Sequence, residues 1–88
     1  MFLLDSAYIV IEILSEDDNM SRVMEKLQEY ERKGVPHIWL FDPRLRTMSV
    51  YTTGVLHEIR EDRIATSAEP RIELTREEVF HGLDPVPA

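Results

Sequence analysis

An α/β fold (α+β in the broad sense), in which a βαβ crossover leads into an antiparallel hairpin and a short C-terminal helix, is what the sequence predicts. Three observations carry it. Tyr8 to Leu14 reads YIVIEIL, a β-branched run apolar on both faces, as in a strand covered on both sides. Met20, Val23, Met24, Leu27 and Tyr30 then recur at i, i+3, i+4, i+7 and i+10, the spacing of an amphipathic helix. After Gly34 and Pro36 the chain becomes apolar and extended again, His37-Ile38-Trp39-Leu40-Phe41.

The helix is introduced by SEDDNMS, rich in N-capping residue types, and Gly34 ends it. Strand, helix and strand of this kind imply parallel strands joined by a right-handed crossover. Asp42 and Pro43 close the second strand before the basic turn Arg44-Leu45-Arg46. Thr47 to Thr52 (TMSVYT) reads as a third strand, and Thr53-Gly54 as the turn into Val55-Leu56-His57-Glu58-Ile59, an antiparallel hairpin. Arg63-Ile64-Ala65-Thr66 and Arg71-Ile72-Glu73-Leu74 are weaker strand candidates on either side of the turn-like SAEP. Thr75-Arg76-Glu77-Glu78 matches a capping box ahead of Val79 and Phe80, so a short helix closing at Gly82 is expected. One domain over residues 1–82 with a tail at 83–88 accounts for the chain, which has no internal repeat.

Composition narrows the function classes. The 88 residues, 43% hydrophobic and 31% charged, suit one small globular domain. A chain of this size buries only ~60–65% of the surface its unfolded form exposes, so assembly with a partner is expected. With 17 Asp and Glu against 10 Lys and Arg, the net charge of −7 opposes sequence-independent attraction to nucleic acid or anionic lipid. The absence of Cys removes disulfides, thiol nucleophiles and thiolate zinc sites, and suits a cytoplasmic setting. No apolar run is long enough to span a membrane, and MFLLDSAY lacks the basic start of a signal peptide, so no membrane partner is expected.

Glu12 is the most informative residue. An ionisable group in mid-strand with apolar neighbours on both faces costs free energy unless it is paired or holds a cation. It shares a strand face with Tyr8, Val10 and Leu14. The bland alternative is an edge-strand glutamate that reaches solvent or pairs with a hairpin arginine, and the residues alone leave both open. Lys26 is the partner to test. At about 100° per residue it lies just outside Tyr30, which itself sits at the rim of the apolar face. Glu12 lies ~7 Å below the strand end and Lys26 ~9 Å into the returning helix, so the two charges can meet at one level. Its ordinary alternative is a solvated lysine in helical salt bridges.

Other groups read as structural. Glu16, Asp17 and Asp18 precede a helix and are explained by its N-terminal dipole, since no EF-hand pattern accompanies them. His37, His57 and His81 have no metal-ligand spacing. No GxGxxG, GxxxxGK[ST] or GxSxG string occurs, nor a basic stripe with interleaved aromatics.

The ordered string YIVIEILSEDD, Lys26 with Tyr30 four residues on, GVPHIWLFDP and the SVYT strand together resemble the Uma-two family of restriction endonucleases, in the PD-(D/E)xK nuclease superfamily. The resemblance runs from about Ala7 through Phe80 and implies a partial restriction-endonuclease-like domain. By position, Glu12 resembles the family's second acidic metal ligand, Lys26 its catalytic lysine, and Ile13 would offer a backbone carbonyl to the metal. The implied chemistry is Mg²⁺-assisted hydrolysis of a DNA phosphodiester, with Mn²⁺ as a substitute. The resemblance covers only the second half of family members, whose first half supplies further strands and an acid in a Pro-Asp motif. No such segment stands before Tyr8, and strand alternation puts Asp5 on the face opposite Glu12. A chain with one acid of two is expected to bind metal poorly and to show little or no nuclease activity alone. The strand edge left open would pair with another copy, giving a homodimer or higher oligomer. The alternative is a non-catalytic homo-oligomerisation or interaction module with the same core; an acidic adaptor rests on charge alone.

Overall fold

A computed structural model describes residues 7–83. In chain order the elements are β1 (Ile9–Ile13), α1 (Met20–Arg32), β2 (His37–Asp42), β3 (Thr47–Thr52), β4 (Val55–Ile59), β5 (Arg63–Ala65), β6 (Glu73–Thr75) and α2 (Arg76–His81). The first four strands form one sheet in the order β1-β2-β3-β4, with β1 and β2 parallel and both later pairings antiparallel. The βαβ unit, the hairpin and the closing helix all stand where the sequence places them. The two weaker strand candidates pair with each other as a separate antiparallel ribbon. Its second strand is displaced: it begins at Glu73 and runs to Thr75, because Ile72 is engaged with the loop through hydrogen bonds to Thr66.

Local chemistry explains each boundary. Asn19 caps α1, its side-chain oxygen accepting from the backbone N–H of Ser21 and Arg22. Lys33 closes the helix and Gly34 follows at φ +83°, a left-handed turn that releases the chain toward β2. The Asp42 carboxylate accepts from the N–H of Arg44 and Leu45, which folds the basic turn back on itself. Thr53 and Gly54 both have positive φ, the geometry of a two-residue type I′ hairpin. Thr75 and Glu78 form the expected reciprocal capping box of α2, and the resulting hydrogen bonds hold the Glu78 carboxyl below its usual range. Gly82 caps α2 in right-handed geometry, and Leu83 packs beyond it against the core.

The sheet is covered on both faces, as the two-sided apolarity of β1 and β2 demands. On one face Val23, Leu27 and Tyr30 of α1 pack on Val10, Ile38, Leu40 and Tyr51. Met20, counted in the apolar stripe, is 46% exposed, so the packing begins one turn later. On the other face α2 and the β5–β6 ribbon bring Phe80, Val79 and Ile64 onto Trp39, Phe41 and Met48. Among the described residues β1 pairs only with β2 and so lies at the sheet edge.

Candidate functional site

Glu12 is one residue from the end of β1 and points to the face that α1 covers, since its strand neighbours on that side, Val10 and Leu14, belong to the α1-facing core. It is 5% exposed, the most thoroughly enclosed carboxylate among the described residues. The edge-strand alternative, a glutamate that reaches solvent or meets a hairpin arginine, is therefore overturned: β1 is an edge, but the side chain turns inward beneath the helix.

Both carboxylate oxygens have partners, and both partners come from α1. Lys26 Nζ donates to Oε1 at 3.3 Å, and the Tyr30 hydroxyl donates to Oε2 at 3.1 Å. Lys26 and Tyr30 are four residues apart, so one helical face presents them side by side. The solvated-lysine alternative fails for the same reason: the stem of Lys26 runs along the sheet to the acid while nearly half of the side chain stays in solvent. Tyr30 is buried, and burial, reinforced by the hydrogen bond to Glu12 and its negative charge, pushes its phenol up to about 12. It remains a hydrogen-bond donor throughout the physiological range.

The sequence presents Tyr30 as a rim residue of the apolar stripe and, in the family resemblance, as the position four residues after Lys26, without a role in the site. The signal was available, for a tyrosine one turn beyond a lysine that reaches the strand lies on the same helical face, and a buried phenol usually finds a hydrogen-bond partner.

Ile13 is 44% exposed and lies at the edge of β1 that no described strand covers. The next residue, Leu14, donates its N–H to Phe41 O at 2.9 Å. The planar trans peptide between them consequently turns the Ile13 carbonyl away from β2, toward the open edge. In a parallel ladder the same alternation directs the N–H and C=O groups of Ile9 and Ile11 outward too. Their side chains continue into an apolar groove lined by Phe41, Leu74, Val79 and Leu83.

The groups set aside on sequence remain apart from this site. Glu16, Asp17 and Asp18 are exposed, and the Asp18 carboxylate accepts from Ser15 N–H in the turn before α1. His37 packs on the Tyr8 ring, with Nε2 accepting from Ser67 N–H, and His57 and His81 are exposed. Among the described residues no three of His, Cys, Asp and Glu are grouped to hold a metal ion. Asp5 lies outside the described residues. No helix among them is long and apolar enough to cross a membrane.

The acid on the edge strand and the lysine on the crossover helix are the parts that the family resemblance singled out, and a family model matches the chain over residues 2–84. The chain belongs to the Uma2 family. That family is described as "Putative restriction endonuclease". Among solved structures, a "putative nuclease belonging to DUF820" from Anabaena variabilis superposes with a TM-score of 0.68 at 25% identity, over 85% of this chain. The Uma2 chain described here spans 44% of that nuclease's length. No curated protein matches it closely enough to count as a relative.

Proposed function

We propose that this Uma2 chain carries the glutamate–lysine part of a metal-dependent endonuclease site that hydrolyses phosphodiester bonds in DNA. The observation behind the reading is a carboxylate enclosed under a helix, yet paired with a half-exposed lysine at 3.3 Å, in a chain of this family. Keeping an acid in a core of aliphatic and aromatic side chains costs free energy that a leucine would not, so the carboxylate points to a use.

The donor set suits Mg²⁺, with Mn²⁺ as a substitute. Glu12 offers carboxylate oxygen and Ile13 a backbone carbonyl beside the open edge, both hard oxygen donors. Two such donors leave room for waters and for another acid, which this reading draws from outside the described residues. An ion bound there would supply Lewis-acid polarisation of a phosphate oxygen and a water of lowered pKa. Lys26, with its ammonium at the solvent side of the carboxylate, would place positive charge against the phosphate and hydrogen-bond the attacking water. The net charge of −7 makes approach to DNA depend on that local positive charge. With DNA as its substrate, a cytoplasmic setting is part of the same proposal.

A second reading, a non-catalytic module that pairs with copies of itself, is favoured by the edge of β1, which pairs with no further strand among the described residues, and by the apolar groove beside it. Antiparallel pairing of two β1 strands about Ile11 would satisfy the outward backbone groups of both copies and give a homodimer.

Calorimetric titration of Mg²⁺ and Mn²⁺ into the chain and into Glu12→Ala, with plasmid nicking and sedimentation in parallel, separates the two. Metal uptake and nicking that disappear in Glu12→Ala support the nuclease site. A dimer with neither metal uptake nor nicking leaves the interaction module.

A further inference from the structure

The geometry points to Tyr30 as a positioning residue that holds the Glu12 carboxylate in one orientation for a divalent cation. The inference rests on the reading of Glu12 as a metal ligand and goes beyond it, because it assigns unequal tasks to the two groups that α1 brings to the acid.

Those groups differ in freedom. Tyr30 is 4% exposed and packed among Val10, Val23 and Leu27, so its rigid ring holds the hydroxyl at the Glu12 carboxylate. Lys26 is nearly half exposed and ends a flexible stem. The hydroxyl takes Oε2 and the ammonium takes Oε1. Were Glu12 to hold a cation, Lys26 could release the carboxylate at little cost because its ammonium already lies on the solvent side, whereas the buried phenol has no such freedom. Lys26 therefore serves as the exchangeable counter-charge and Tyr30 as the fixed donor that prevents the glutamate from rotating. Without that donor, part of the affinity would be spent on ordering the carboxylate.

The same core contains its own control. Tyr51 is also buried, on the same face of the sheet, but among the described residues its hydroxyl has no hydrogen-bond partner. Tyr30→Phe and Tyr51→Phe each remove one buried hydroxyl, and only the first touches Glu12.

The test is a Mn²⁺ titration of the isotope-labelled chain, followed by paramagnetic broadening of the Glu12, Ile13 and Leu14 amide signals, which registers weak binding without any turnover. The expected result is broadening in the wild type, its loss in Glu12→Gln, affinity lower by about tenfold in Tyr30→Phe, and wild-type affinity in Tyr51→Phe. Equal affinity in Tyr30→Phe and wild type would overturn the positioning role and leave the metal site standing. An equal fall in both tyrosine variants would overturn it as well, as a general effect of loosening the core. So would a collapsed amide spectrum in Tyr30→Phe, since the hydroxyl would then hold the fold. A wild type with no broadening at Glu12 would remove the metal site itself and the role of Tyr30 with it.

Discussion

The α1-covered face of the sheet carries an acid, an ammonium and two tyrosine hydroxyls in or beside its core, whereas the face under α2 and the β5–β6 ribbon is built from Trp39, Phe41, Met48, Ile64, Val79 and Phe80. Each helix also sends one cation across the structure, with different targets. Lys26 reaches a buried carboxylate, while Arg76 spends its guanidinium on the backbone carbonyls of Arg46, Ile59 and Glu61. Arg76 thus ties together the ends of loops, a task of support. The difference indicates a division of labour: one face makes the fold stable, and the other accepts a polar cluster that stability alone would not select.

The sharpest way to break this comparison is to hollow out the apolar face. Phe80 is fully buried, and Phe80→Ala removes a ring that packs edge-on to Phe41 at 6.3 Å between centroids. The expected loss is ~3–5 kcal/mol, most of what a domain of this size has. Urea denaturation should show little folded protein in this variant; a midpoint close to wild type would mean that α2 is dispensable to the core.

A smaller effect, of opposite sign, is expected on the polar face. Glu12→Leu replaces an enclosed acid with an apolar side chain of similar reach, and Lys26 is free to move into solvent. Exchanges of this kind are often neutral or stabilising, here by ~0–1 kcal/mol, since the Tyr30 hydroxyl loses an acceptor. Urea denaturation of Glu12→Leu measures it. A loss above ~2 kcal/mol would show that the Glu12 cluster is part of what holds the domain together, and the division between the faces would fall.

The sequence exposes the two faces unequally. The βαβ unit is legible because β1 and β2 are apolar on both sides and the helix between them has a clean stripe, so periodicity and burial agree. Glu12 and Lys26 are legible as a pair because strand rise and helix rise are fixed numbers that put them at one level. Tyr30 escapes this arithmetic, since its ring belongs to the stripe and only its hydroxyl belongs to the site. The β5–β6 ribbon is less legible still: its strands are three residues each, and the hydrogen bonds between Thr66 and Ile72 that fix its loop join residues with no periodic relation. Short strands paired across an irregular loop leave almost no pattern to read.

The hairpin offers the finest adjustment, because its strands feed both faces, Tyr51 one and Met48 the other, while its exposed turn belongs to neither. Thr53 sits at φ +47° in its turn, a region that β-branched residues avoid and asparagine tolerates. Its backbone N–H donates to Glu31 Oε2 at 2.8 Å, so the turn is tied to the last turn of α1, and a substitution that keeps the backbone keeps that tie. Thr53→Asn makes the turn Asn-Gly, the pair best suited to type I′ geometry. A gain of about 0.5–1 kcal/mol is expected, visible as a rise of a few degrees in the thermal midpoint. The gain should leave Mn²⁺ affinity at Glu12 unchanged, because the turn contacts α1 at Glu31, one residue beyond Tyr30, through a backbone group that the substitution retains. A shift in that affinity would instead reveal that the end of α1 transmits strain to the acid, and the two faces would have to be treated as one coupled unit.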